Sequence, residues 1–235
     1  MATTMTLTEL KNAVRQRSDM ENSQFVKDPE LTSYINQSYF ELYDLLVQKY
    51  GDNYFVASPY SFVTDGSSED YSLPADFYKL LGVDLALSNS TDAWVTIKPF
   101  NFAERNRYAV PNFQSFYGIT NLRYRLHGSK IKFTPIPQAN QNMRLWYVPT
   151  MATLVNGTDT VDSISGWTEY IIIDAAIKCL QKEESDCNVL LAQKAAIIQR
   201  IENAAENRDA GFPRTIADVS FSNYEWPYGS GSGSY

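Results

Sequence analysis

The stretch from Trp167 to Arg208 constrains the fold more than any other part of the chain. From Tyr170 to Leu180 it is apolar on every side but one, where Asp174, Lys178 and Gln181 recur at helical spacing. Asp174 and Lys178 stand in the acid-first i, i+4 order, worth about 0.2–0.5 kcal/mol, and the pair is expected to mark the wet side of a helix. The rest of that helix, including Ile171, Ile172, Ile173, Ile177 and Leu180, must find cover, at about 1.5–3 kcal/mol for each large side chain buried. The polar run Lys182-Glu183-Glu184-Ser185-Asp186 then breaks the segment. A second helix follows, with Ser185 or Asp186 as its cap and Leu190, Leu191, Ile197, Ile198 and Ile201 as its contribution. One partner cannot cover so wide a surface, so more must come from elsewhere.

The N-terminal region supplies it. Thr6 and Glu9 form a capping box ahead of Leu7, Leu10 and Val14, which predicts a short helix ending near Arg17. Asp28 as cap, with Pro29 at the first helical position, opens a long helix in which Leu31, Tyr34, Ile35, Leu42, Leu45 and Leu46 share a face. Gly51 closes it. The four helices together are expected to form a bundle.

Between them the period turns from helical to alternating. Residues 54–57 read as a strand, 62–71 as a hairpin around Asp65-Gly66, and Leu73-Pro74-Ala75-Asp76 as the entry to helical turns ending at Gly82. Val83–Leu87 and Trp94–Lys98 are expected to pair, Asn101–Tyr108 to form a short helix, 111–118 a loop and Met143–Val148 a further strand. The clearest hairpin is Asn121–Thr134, where Leu122, Tyr124 and Leu126 alternate with Arg123 and Arg125, and Ile131 and Phe133 with Lys130 and Lys132, around His127-Gly128. The fold class is therefore α+β. Residues 1–50 and 166–208 form the helical core, 51–165 an inserted antiparallel β-rich block, and 209–235 an extended tail. That tail carries two prolines, a Gly/Ser run and six aromatics: Phe212, Phe221, Tyr224, Trp226, Tyr228 and Tyr235.

Signals for catalysis are poor. His127 is the only histidine and sits at a turn, and neither a GxxxxGK nor a GxGxxG phosphate loop is present. Asp65, Glu69 and Asp70 crowd one turn, where a solvated turn competes with a hard-cation site, and their spacing fits no EF-hand. Cys179 and Cys187 lack a second pair to complete a metal site and read as reduced thiols. No metal or cofactor is expected. The start of the chain has no secretory pattern and no run of eighteen apolar residues occurs, so the chain is expected to be soluble and unexported, and its Asn-x-Ser/Thr matches at Asn36, Asn89 and Asn156 carry little weight.

Charge is divided along the chain. Between Lys98 and Arg144 there are eight basic residues and one acid, Glu104, a local net of +7. The remainder, with 12 bases and 26 acids, carries −14, and the whole −7 argues against general nucleic-acid binding. In the 121–134 hairpin, Arg123, Arg125, Lys130 and Lys132 share one face. Three roles stand open for it: a solvated sheet face, contact with the acidic region of a neighbouring copy, or exposure to a phosphate backbone.

The stretches ELTSYINQSYFELYDLLVQKYGD from Glu30, YSLPADFYKLLGVDL from Tyr71, FNFAERNRY from Phe100, RLWYVP from Arg144 and WTEYIIIDAAIKCLQKEESD from Trp167 resemble the head-to-tail adaptor (neck, or connector) proteins of short-tailed bacteriophages. The resemblance implies a structural, non-enzymatic virion protein, assembled in the host cytoplasm as a ring of about twelve copies. That ring would sit beneath the portal protein, carry the DNA channel onward with non-specific contact to the genome, and offer a platform to tail or nozzle proteins, with no membrane contact. Under this reading the six tail aromatics dock on the portal or on a neighbouring adaptor, although the tail can also fold back on its own helices. A carbohydrate-binding module on the aromatic-rich β block (Tyr60, Trp94, Tyr108, Phe113, Phe116, Tyr117) is the alternative from another class. A hydrolase using Glu104 or Asp70 is a third.

Overall fold

The computed structural model describes residues 5–21, 25–51, 55–87, 93–108, 122–161 and 166–206. Four helices, α1 (Leu7–Arg17), α2 (Asp28–Tyr50), α4 (Thr168–Lys182) and α5 (Asn188–Glu206), flank the strands in sequence, and a single helical turn, α3 (Arg105–Tyr108), lies among them. Helix α4 is buried around most of its circumference because it packs on α1, α2 and α5 together. Its isoleucines and alanines meet Leu7, Leu10 and Val14 of α1, Leu31, Ile35, Leu42 and Leu46 of α2, and Leu190, Ile197 and Ile201 of α5.

The predicted capping box is present: Glu9 donates its backbone N–H to Thr6 Oγ1 at 3.2 Å, and the Glu9 carboxylate accepts from the Thr6 N–H at 2.7 Å. Three expectations about the helices are corrected. Asp28 is the first residue of α2 and Lys27 the cap, because the Asp28 carboxylate is drawn to Arg15 (2.8 Å) and Lys11 (3.5 Å) of α1. Leu191 is 43 % exposed, one position off the stripe of α5 that meets α4. Asp174 is buried, at 3 % exposure, and so does not mark a wet side: α2 and α5 close over it.

The described residues between α2 and α4 form two four-stranded sheets. The first has the order β1 (Tyr60–Asp65), β8 (Ala139–Pro149), β3 (Phe77–Ala86), β4 (Trp94–Thr96). The second has the order β2 (Asp70–Ser72), β7 (Lys130–Thr134), β6 (Arg123–His127), β5 (Lys98–Pro99), antiparallel except between β5 and β6. Their inner faces share one core: Val83, Leu85, Met143 and Leu145 from the first, Ile131 and Phe133 from the second, with Phe62 and Tyr71 at the seam.

This arrangement overturns the expected 62–71 hairpin. Residues on either side of Asp65-Gly66 belong to different sheets, β1 pairing with β8 and β2 with β7. The turn is a corner: the Asp65 carboxylate accepts from the N–H groups of Ser67 (2.9 Å) and Ser68 (2.7 Å) and from the Tyr71 hydroxyl (3.1 Å). Gly66, at φ +80°, passes so close to β8 that a Cβ there would lie 2.8 Å from Ala139 Cβ. Residues 77–82, read as helical turns, are strand, because β8 is eleven residues long and β3 pairs along it from Phe77↔Pro149 to Leu85↔Met143. Long-range pairing overrides the local helix signal. Residues 55–57 form no strand, Ala57 only donating its N–H to Tyr147 O at 3.2 Å; Tyr54 and the 111–118 segment lie outside the described residues. The β3–β4 pairing, the β6–β7 hairpin and the short helical segment at 102–108 occur where expected.

Helices and sheets meet through the second half of α2. Tyr43 and Val47 pack on Val148 of β8, and the Tyr43 hydroxyl donates to Pro149 O at 2.6 Å. The Tyr78 hydroxyl of β3 donates to Asp44. Burial pushes the Tyr43 hydroxyl pKa up to about 12. The opposite end of α2 faces away from the sheets. There Glu30 pairs with Lys182 at the end of α4 (2.6 Å), whereas Lys49 pairs with Glu202 near the end of α5 (2.8 Å). The α4–α5 corner therefore sits at the end of the helices remote from the β sheets.

Candidate binding surfaces

The β6–β7 register sets Arg125 opposite Lys132 and His127 opposite Lys130. Cross-strand partners point to the same side and neighbours along a strand to opposite sides, so Arg123, Arg125, Lys130 and Lys132 share a face, while Ile131 and Phe133 take the core. Leu126 does not follow its alternation inward: it is 40 % exposed, although its cross-strand partner Ile131 is fully buried.

The face is less bare than its sequence implies. Lys132 Nζ donates to Glu69 at 2.6 Å, a carboxylate contributed from the neighbouring β2 edge. The Arg125 guanidinium stands 5.1 Å from the centre of the Phe102 ring and that of Arg105 4.6 Å from it. Phe102 is 59 % exposed, so one accessible ring has two cations on it. With Phe100 and Leu126 these residues line a cleft of about 530 Å³. Sequence reading missed Phe102 and Glu69 as members of this surface, because they arrive from a helical turn and a sheet corner whose positions depend on the fold. Arg144, counted in the same basic stretch, is on β8 of the other sheet.

Arg144 belongs to a separate cluster around buried Asp84. The Asp84 carboxylate accepts from Arg144 Nε, Trp146 Nε1 and Thr96 Oγ1, each at 2.8 Å, and the Arg144 guanidinium lies 4.1 Å from the Trp94 ring centre. Burial pushes the Asp84 carboxyl pKa upward, but the bonds from Arg144, Trp146 and Thr96 outweigh it and hold the group below the usual carboxylate range.

A second charged cluster joins three helices. Asp174 accepts from Lys178 of its own helix and Lys194 of α5, both at 2.6 Å. Glu41 of α2 reaches Lys178 (2.9 Å) and Lys194 (3.3 Å), and Lys178 also donates to Ser38 Oγ at 3.0 Å. Burial raises the Asp174 pKa, and the two lysines and Ser38 more than reverse it, so the group lies below its ordinary value. The i, i+4 pair read as a surface feature is thus the centre of a helix-joining network.

Of the sequence-level candidates for chemistry, Asp70 lies on β2 and the Glu104 side chain lies outside the described residues. Asp65 is spent on the turn, Ser68 first among the donors that hold its carboxyl low, and Glu69 is spent on Lys132. Among the described residues no group of three or more His, Cys, Asp and Glu stands close enough to hold a metal ion. His127 is exposed beside Gly128, which takes φ +60° in the turn. Cys179 is buried, and burial pushes its thiol pKa up to about 11, which keeps it protonated at neutral pH. Of the aromatics proposed for a glycan platform, Tyr60 and Trp94 lie on β1 and β4, the opposite edges of one sheet, about 14 Å apart at roughly 4.8 Å per strand. Phe113, Phe116 and Tyr117, like the six tail aromatics from Phe212 to Tyr235, lie outside the described residues. No described helix is long and apolar enough to cross a membrane.

Two packed sheets joined to helices define an α+β protein. A family model described as SU10 adaptor protein matches residues 5–218, nearly the whole chain, and the chain belongs to that family. It is a family of phage head-to-tail adaptors, a structural family and not an enzymatic one. No curated protein matches the chain.

Proposed function

We propose that this chain is the repeating subunit of a ring of about twelve copies that docks under the portal, extends the DNA channel and presents a platform to tail proteins. The family match over residues 5–218 carries this reading. The architecture supports it: a helical unit braced by the Asp174 network and a two-sheet unit meet along α2. In this reading 1–50 and 166–208 form a bundle that is the subunit's core, 51–165 is its inserted β-rich unit, and 209–235 is a docking strap. Phe221, Tyr224, Trp226 and Tyr228 anchor the strap on the portal or on a neighbouring copy, since buried aromatics dominate interfaces of this kind. The basic face of β6–β7 provides charge contact, to another subunit or to DNA in the channel.

The test is genetic. Phage lacking this chain should yield heads that package DNA but carry no tails, and supplying the chain in trans should restore tailed particles. Tailed, infectious particles formed without it would refute the proposal.

A further inference from the structure

The cleft beside β6–β7 combines an exposed aromatic ring, Phe102, with arginines from two different elements, Arg105 and Arg125, both placed on it. A ligand that fits must bring negative charge and some apolar surface together in a compact shape. A nucleic-acid backbone brings charge alone and is met by long basic tracks. Here Lys132 is already paired to Glu69, which leaves a short cationic patch with an apolar floor.

The same chain carries the complementary shape. At the α4–α5 corner Glu183, Glu184 and Asp186 are exposed within four positions, and Val189, one turn further on, is 70 % exposed. Glu184 takes φ +59°, so the corner is a tight projecting turn. A molecule cannot seat its own corner in its own cleft. The corner lies level with Glu30 of α2, and the sheets contact α2 from Phe40 to Val47, about 15–25 Å further along at 1.5 Å per residue. The cleft is beyond that contact, on the second sheet.

We propose that the acidic α4–α5 corner of one copy docks in the Phe102–Arg105–Arg125 cleft of the next. The contact joins two different patches and so is head-to-tail, the kind that closes into a ring when the rotation between copies divides a full turn. The three acids of the corner and the two arginines of the cleft are then opposite charges that meet between subunits, steering each incoming copy in one orientation. This inference rests on the ring-subunit reading and names the surface that builds the ring.

A charge-swap assembly experiment tests it, with the full chain, purified portal rings and native mass measurement of adaptor copies per portal. Arg105→Glu with Arg125→Glu should reduce occupancy at least tenfold, and so should Glu183→Lys with Glu184→Lys and Asp186→Lys. Combining all five substitutions should restore rings. The milder Arg105→Gln with Arg125→Gln should give an intermediate loss, which covers the event that the reversed variant fails to fold; folding of each is checked by circular dichroism. If both charge-reversed variants assemble, or only the basic one fails and rescue is absent, the pairing is overturned, and the second result assigns the cleft to DNA or the portal. If the unmodified chain fails to assemble on portals, the ring-subunit reading itself is refuted.

Discussion

Asp174 accepts from lysines on two helices while almost fully buried, so its removal leaves Lys178 and Lys194 with Glu41 as their remaining carboxylate. Asp174→Ala should therefore cost about 1–3 kcal/mol, measured by urea unfolding. Its pKa lies below the unfolded value of about 3.9, so its contribution is fully present above that value and is lost as pH falls through the folded pKa. Between about pH 4 and pH 2 the Asp174→Asn variant should lose stability less steeply than the parent. Ile172, 6 % exposed on the same helix, should cost about 2–5 kcal/mol when changed to alanine. Gly66→Ala should destabilise by about 1–3 kcal/mol through its positive φ, and by more where Ala139 cannot move away. What the sequence tells about single residues follows from this contrast. Capping residues such as Thr6 and Glu9 are legible because their partners lie three positions away. Asp174 was misread because i, i+4 spacing identifies Lys178 and is silent about Lys194 and Glu41.

At the level of elements, helices with one buried stripe were recognised with nearly correct ends, because amphipathic period and caps are local signals. The strands that failed, 62–71 as a hairpin and 77–82 as a helix, are those whose partner is remote: both β1 and β3 are organised by β8, more than fifty residues away. The β6–β7 hairpin succeeded because its turn and alternation are contiguous. Its surface partners, Phe102 and Glu69, were illegible for the same reason that β1 and β3 were. The junction of α2 with the sheets offers a direct check. Tyr43→Phe removes the bond to Pro149 O and leaves a part-buried carbonyl without that donor, so a loss of about 0.5–1.5 kcal/mol is expected in thermal unfolding. An unchanged melting temperature would place the junction's stability in ring packing against Phe55 and Tyr78 instead.

For the whole molecule, two surfaces of opposite charge stand on different elements, one basic and aromatic on the second sheet, one exposing Glu183, Glu184 and Asp186 at the α4–α5 corner. Replacing Arg123, Arg125, Lys130 and Lys132 with glutamine should leave the subunit folded but weaken assembly or DNA passage, read as a fall in plaque yield. Truncation after Arg208 should leave the subunit folded and abolish its capture by portal in a pull-down. Cryo-electron microscopy of portal rings incubated with the full chain is the most direct measurement of the central claim. The account predicts a second ring of about twelve copies, coaxial with the portal and attached to one face of it, with an open channel through both. Portals that remain bare beside unattached monomers would contradict it.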